Sequence, residues 1–166
     1  MYQSYPSAGQ GPAPQRPEPP QSVLNAVKLM YAGAGVSAVS FIVGLLTISS
    51  LKSVILANSP SLTTSQVNTA VTVGLVFAGF FGLLGIGLWI WMAWANRGGR
   101  SWARIVATVL FGIDTLGLLS AIARPSTGVT TILNVLIWLI GLGAIIFLWR
   151  RDSTAYIQGA SSGQYG

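Results

Sequence analysis

The chain has 166 residues, of which 52% are hydrophobic and only 7% charged, with a formal net charge of +6 and a mean hydropathy of +0.64. An average soluble domain carries about 25% charged residues, so this composition excludes an ordinary soluble domain and predicts one membrane domain. The sequence contains no cysteine and no histidine, which removes disulfides, thiol chemistry, the usual zinc ligands and the commonest general base.

The two ends of the chain differ in composition from the middle. Six of the eight prolines lie within residues 1–21, together with several glutamines, and such a segment buries too little apolar surface to fold. Residues 153–166 are mostly small and polar. We therefore expect disordered tails over 1–21 and 153–166, with a transmembrane domain over 22–152.

Four apolar stretches follow one another in this domain. A hydrocarbon core about 30 Å thick requires roughly 20 apolar helical residues, and the sequence supplies them at about 28–50, 71–95, 102–123 and 129–149. An Asn-Ser-Pro segment at 58–60 is expected to stop the first helix. Thr63 and Gln66 predict a capping box for the second helix, and Gly98 and Gly99 predict a tight turn before the third. The predicted fold is all-α, with four transmembrane helices in an antiparallel bundle.

The basic residues predict the orientation of the bundle. Seven lie on the side of the termini and second loop, namely Arg16, Lys28, Arg97, Arg100, Arg104, Arg150 and Arg151, whereas the other side has Lys52 and Arg124. Because cytoplasmic segments are enriched in Lys and Arg, we expect both termini to be cytoplasmic in a multi-pass plasma-membrane protein. Since these residues stand beside apolar runs, they indicate membrane topology and not a nucleic-acid partner.

Three short stretches carry a resemblance to a known group of proteins: LWIWMAWAN at 88–96, SWARIVATVLF at 101–111 and LWRRDS at 148–153. In these stretches the chain resembles small four-helix integral membrane proteins of high-GC actinobacteria, a family of uncharacterised activity. The resemblance covers roughly 22–152. It implies a four-helix membrane topology, and it implies no activity and no site residues.

Asp114 is the one ionisable residue well inside a predicted span. A carboxylate at a helix centre costs roughly 2.5–3.5 kcal/mol on insertion scales, so such residues tend to face a bundle interior or a cavity. Counting ten residues inward from Arg104, and equally from the other basic residues of that side, places Ser37, Ser40 and Trp138 within one helical turn of its depth. These three side chains are the predicted hydrogen-bond donors to Asp114.

Two hypotheses for Asp114 remain open. In the structural hypothesis, a neutral Asp114 pins the third span to the first through Ser37 or Ser40. In the functional hypothesis, Asp114 binds a proton or a cation during transport, as intramembrane acids often do. A proton path normally recruits further ionisable groups, and no other acidic or basic residue lies well inside a predicted span, which favours the structural hypothesis.

The second span carries Gly74, Ala78 and Gly82 at four-residue spacing. Small residues at this spacing let helix backbones approach closely. The ridge therefore predicts either packing within the bundle or homodimerisation.

No residue pattern typical of an active site occurs in the chain, since one carboxylate without a second acid, a base or a metal ligand provides no mechanism. We expect a non-catalytic structural or interaction subunit without cofactor or metal. Its expected partners are the lipid bilayer and either a second copy of the chain or other membrane proteins. The alternative is a small proton- or cation-coupled transporter that uses Asp114.

Overall fold

A computed structural model of the protein describes residues 18–59, 61–122 and 128–161. Within these ranges the chain forms helices and no strands: α1 (Gln21–Leu46), α2 (Ile48–Asn58), α3 (Thr64–Arg97), α4 (Ser101–Ile122), α5 (Gly128–Leu148) and α6 (Arg151–Ser161). Four of these helices, α1, α3, α4 and α5, are long and apolar enough to cross a membrane. The predicted all-α fold with four membrane-spanning helices is confirmed, while residues 1–17 and 162–166 of the predicted tails lie outside the described ranges.

The first predicted span begins earlier than expected and is interrupted. α1 starts at Gln21, seven residues before the predicted start at 28, and ends at Leu46. At Thr47 the backbone leaves regular helix geometry, with φ −92° and ψ 5°, and its hydroxyl donates to the Val43 carbonyl at 2.9 Å. The helix resumes as α2, which ends at Asn58, where the sequence predicts the end of the first helix.

Local capping explains both ends of α3. At its start the Gln66 backbone N–H donates to the Thr63 hydroxyl at 3.3 Å, and the Thr63 N–H donates to Gln66 Oε1 at 2.9 Å, which confirms the predicted capping box. With 34 residues, α3 is about 50 Å long, so it extends beyond a hydrocarbon core of about 30 Å. At its other end Gly99 adopts a φ of +68°, which closes the predicted tight turn into α4.

The four long helices form a ring in which the backbones of diagonal helices stay apart. α1 packs against α3 on one side and α5 on the other, and α4 packs mainly against α5. α3 and α4 pack against each other much less closely than these pairs do, and along the described residues the backbones of α1 and α4 do not come together. The bundle is therefore loosely closed between α3 and α4.

The densest packing lies at one end of the bundle, here called the terminal end, which carries the start of α1, the 98–100 turn and α6. Its apolar core consists of Val23, Ala26, Val27, Met30, Met92, Ala93, Ala95, Ala103, Ala107, Ala144 and Leu148. Alanine is the commonest residue in this core, and small residues let membrane helices approach closely. The opposite half of the bundle, the far half, has large apolar side chains exposed on its outer surface, such as Val76, Phe80 and Leu116.

The prediction of a disordered tail over 153–166 is wrong for residues 153–161, because they belong to α6, which begins at Arg151. Ser153 and Ile157 are fully buried. The Ser153 hydroxyl donates to the Ser22 hydroxyl at 2.7 Å, and the Tyr156 hydroxyl donates to the Arg97 carbonyl at 3.4 Å. Composition alone suggests a tail, whereas contacts with α1 and with the end of α3 stabilise a helix.

Candidate functional site

An open cavity in the far half brings most of the predicted site residues together. It has a volume of about 490 Å³, and we call it the outer cavity. Its lining includes the predicted polar residues Ser37, Ser40 and Asp114 and the predicted packing residues Gly74, Ala78 and Gly82. Asp114 is the only residue of α4 among those that line it. The outer cavity is therefore bounded mainly by α1 and α3, with Asp114 of α4 and Ile137 of α5 completing its wall.

Asp114 also lines a second, smaller cavity of about 150 Å³, here called the inner cavity. This cavity lies among all four long helices, and its walls include Met30, Leu110 and Ala144. Trp89 and Asp114 line both cavities. The carboxylate and the indole thus stand where the two spaces adjoin.

Neither predicted serine partner binds Asp114. Among the described residues no hydrogen bond joins Asp114 to Ser37 or Ser40, and the buried Ser40 hydroxyl has no hydrogen-bond partner. The reason is the arrangement of the helices, since the backbones of α1 and α4 lie diagonally across the ring. The pinning hydrogen bond of the structural hypothesis is absent, and a cavity separates the groups that were expected to form it.

The third predicted donor, Trp138, binds a different residue. Its indole N–H donates to the Thr115 hydroxyl at 2.9 Å, and Thr115 itself donates to the Phe111 carbonyl at 2.8 Å. Trp138 lines neither of the two cavities. It therefore stabilises the contact between α4 and α5 and takes no part in the Asp114 site.

A second bond of the same kind was not predicted. The Trp149 indole donates to the Thr108 hydroxyl at 3.1 Å. Thr108 and Thr115 lie seven residues apart on α4, so they share one face of the helix. Thr115 lies eleven residues inward from Arg104, and Trp138 lies twelve residues inward from Arg150. This similar depth is the signal in the sequence for the Thr115–Trp138 pair.

The three predicted packing residues have different surroundings. A Cβ atom added to Gly82 would lie 2.6 Å from the Phe41 ring, so α1 and α3 approach closely there. A Cβ atom added to Gly74 would have no neighbour within 4 Å. All three residues line the outer cavity, but Gly82 also packs closely against α1, whereas Gly74 and Ala78 are exposed.

A group of polar contacts at the terminal end joins α1, α4, α6 and the segment that follows α5. The Arg104 guanidinium carbon lies 4.3 Å from the centroid of the Trp149 ring, and Nη1 of Arg104 donates to the Thr154 hydroxyl at 3.0 Å. A hydrogen bond from Ser22 lowers the pKa of Asp152 below its usual value, and the nearby Arg150 acts in the same direction. These contacts hold α6 against the bundle and place no reactive group in a cavity.

The comparisons with known proteins give no match to a family model, to a curated protein or to a solved structure. The chemistry of the site therefore rests on its own residues. Across the described ranges, no three Asp or Glu side chains come together as candidate metal ligands. Of the described residues, those that line the two cavities present one exposed carboxylate, two serines and otherwise apolar and aromatic side chains. The four long helices of the fold are compatible with an integral membrane protein.

Proposed function

We propose that this protein is a multi-pass plasma-membrane protein that acts without catalysis, as a structural or interaction subunit. The observation that carries the proposal is the uncovered small-residue surface of α3 in the far half, where Gly74 has no neighbour within 4 Å of an added Cβ and Ala78 is exposed. Apolar helices associate through such surfaces because small residues permit close approach. Its partners are a second copy of the chain or another membrane protein.

The experiment that tests this proposal compares two positions on α3. Ala78→Leu fills the surface that a neighbouring helix would cover, whereas Val76→Leu changes a side chain that is 67% exposed on the same helix. We expect Ala78→Leu to abolish chemical cross-linking to the partner in native membranes, and Val76→Leu to leave the cross-linked product unchanged. An unchanged product in Ala78→Leu would refute the interaction role.

The placement of both termini follows from charge. The terminal end carries Arg97, Arg100, Arg150 and Arg151, and basic residues accumulate on the cytoplasmic side of membrane proteins. We therefore assign the terminal end to the cytoplasm. Because the basic residues serve this orientation, we expect no nucleic-acid partner.

A second candidate function is a small proton- or cation-coupled transporter. The observation that favours it is that Asp114, instead of being hydrogen-bonded to Ser37 or Ser40, lines two adjoining cavities. Liposomes that contain the full chain should then carry a proton or cation flux under an imposed gradient, and Asp114→Asn should abolish that flux while the protein stays folded. A parent protein that produces no flux would remove this candidate.

A further inference from the structure

We propose that the two adjoining cavities form a binding site for a lipophilic organic cation, with Asp114 as the counter-charge. The inference rests on the second candidate function in one respect, since it takes Asp114 as the functional residue. It adds the chemical class of the ligand. Binding at equilibrium is measured without any flux, so the two proposals can fail separately.

The size of the site suits a small organic molecule. The outer cavity holds about 490 Å³ and the inner cavity about 150 Å³, and pockets for small molecules usually measure about 300–1,000 Å³. The outer cavity is bounded mainly by α1 and α3, and it lies away from the packed terminal end. Asp114 is exposed, so a ligand dissolved in the bilayer reaches it without crossing the terminal end.

The walls favour an apolar body with a delocalised charge. Phe41 and Phe81 line the outer cavity, Phe111 lines the inner one, and Trp89 lines both. The Trp89 ring is held in place because it packs over Gly33, where an added Cβ would lie 2.9 Å from the ring. Tryptophan is the best aromatic partner for a cation, so Trp89 and Asp114 attract the same kind of ligand.

The polar groups exclude other classes of ligand. Among the described residues, no lysine or arginine lines either cavity, so an anion finds no counter-charge from them. A calcium ion takes six to eight oxygen ligands. The described side chains that line the outer cavity offer only the oxygens of Asp114, Ser37 and Ser40. One carboxylate among aromatic rings matches one organic monocation.

The main experiment uses the full chain in lipid nanodiscs and two probes of equal shape and opposite charge. Tetraphenylphosphonium should quench tryptophan fluorescence saturably, and tetraphenylborate should not. Asp114→Asn should weaken phosphonium binding by about tenfold or more, because it removes the counter-charge from a site of low dielectric. Asp152→Asn, which changes the carboxylate of α6 outside the cavities, should bind like the parent.

A second pair of variants keeps the test valid if Asp114→Asn fails to fold. Gly85 lines both cavities, and an added Cβ there has no neighbour within 4 Å. Gly85→Leu should therefore fill the site and abolish binding while Asp114 is retained. Gly87→Leu is the matched control, since Gly87 has the same free space and lines neither cavity.

Several outcomes would overturn the proposal. Equal binding of the phosphonium and the borate would show partition into lipid, and unchanged binding in Gly85→Leu would place the probe elsewhere. Displacement of the phosphonium by millimolar sodium would identify an inorganic cation site. Absence of saturable binding in the parent would exclude this ligand class, whatever flux the liposomes show.

Discussion

At the scale of single residues, threonines of α4 hold the tryptophans Trp138 and Trp149. Thr108 and Thr115 each donate to a carbonyl four residues earlier on their own helix, at 2.9 and 2.8 Å. Their oxygens are then oriented to accept from Trp149 and Trp138. Each threonine therefore satisfies its own hydroxyl and an indole N–H from a neighbouring segment.

We predict that Thr115→Val destabilises the protein by about 1 kcal/mol, since hydrogen bonds between membrane helices contribute modestly. Thr72→Val is the control, because the Thr72 hydroxyl also donates to a carbonyl four residues earlier, at 2.9 Å, without an indole partner. Thermal unfolding in detergent measures both. In addition, Trp138→Phe should lower stability less in the Thr115→Val background than in the parent protein, because the indole bond is already lost there. Equal losses in Thr115→Val and Thr72→Val would contradict the role of the indole bond.

Asp152 gives the docking of α6 a predicted pH dependence. Its pKa is lowered by the hydrogen bond from Ser22, so the ionised carboxylate stabilises the docked α6. This stabilisation is fully present above the pKa of the unfolded state, about 3.9, and it is lost as the pH falls through the lower pKa of the folded state. A spin label at Gln158→Cys, an exposed position on α6, should become more mobile only on acidification below about pH 4. Asp152→Asn should remove the acid-induced change. A mobility change between about pH 5 and 7, where an unperturbed carboxyl is already ionised, would point to another group.

At the scale of elements, the packing of α1 against α3 depends on Gly33. Trp89 packs directly over this glycine, and Gly82 faces Phe41 farther along the same pair of helices. These contacts place a large ring of one helix against a glycine of the other. The predicted ridge at Gly74, Ala78 and Gly82 contributes to this packing mainly through Gly82.

We predict that Gly33→Ala lowers stability by about 1–3 kcal/mol, the usual cost of overpacking. The added Cβ would lie 2.9 Å from the Trp89 ring, whereas Gly35 has no neighbour within 4 Å of an added Cβ. Gly35→Ala should therefore unfold at the temperature of the parent or slightly above it, because alanine favours the helix. If both variants lost stability equally, Gly33 would not be a packing site.

The docking of α6 depends on the turn between α3 and α4. Gly99 has a φ of +68°, and an added Cβ would lie 2.9 Å from the Cβ of Ala160 and 3.0 Å from the Tyr156 ring. We predict that Gly99→Ala raises the mobility of the Gln158→Cys label, because alanine is strained at this φ by about 1–2 kcal/mol and displaces α6. Gly98→Ala, whose added Cβ meets only the backbone of α3 at 3.5 Å or more, should leave the label unchanged. A label that is equally mobile in both variants would refute the contact.

At the scale of the whole molecule, packing is uneven along the bundle. The terminal end combines an alanine-rich core, the 98–100 turn and α6, while the far half opens around Asp114. The dense core at the terminal end joins all four long helices and so holds them in their places around the ring. The open half then leaves Asp114 and the surface of α3 accessible to a ligand or to another helix.

The proposed orientation predicts which end reacts with a reagent outside the cell. The chain has no cysteine, so single cysteines can be placed at Ser61 and Ser101, which are both exposed. Ser61 precedes the start of α3 and Ser101 follows its end, so the two positions lie at opposite ends of the bundle. In intact cells a membrane-impermeant maleimide should label Ser61→Cys, and it should label Ser101→Cys only after permeabilisation. Labelling of Ser101→Cys in intact cells would reverse the orientation.

The sequence by itself determined the features that depend on local chemistry. Apolar length predicts the four spanning helices because the thickness of the bilayer sets that length. Thr63 and Gln66 predict the start of α3, and Gly99 predicts the turn, because capping and positive φ involve only neighbouring residues. The presence of Asp114 inside a span, at the depth of Ser37 and Ser40, follows from the same counting.

The tertiary structure decided which groups meet. Equal depth in the membrane does not show that the backbones of α1 and α4 lie diagonally across the ring, so the predicted partners Ser37 and Ser40 lie across a cavity from Asp114. Trp138 has a depth similar to that of Asp114, but its indole faces Thr115 on the adjoining side of α4. α6 folds because Ile157 and Ser153 are buried against the end of the bundle, and only the assembled bundle supplies that surface. Long-range contacts of this kind depend on the order of the helices around the ring, which hydrophobic length and capping leave open.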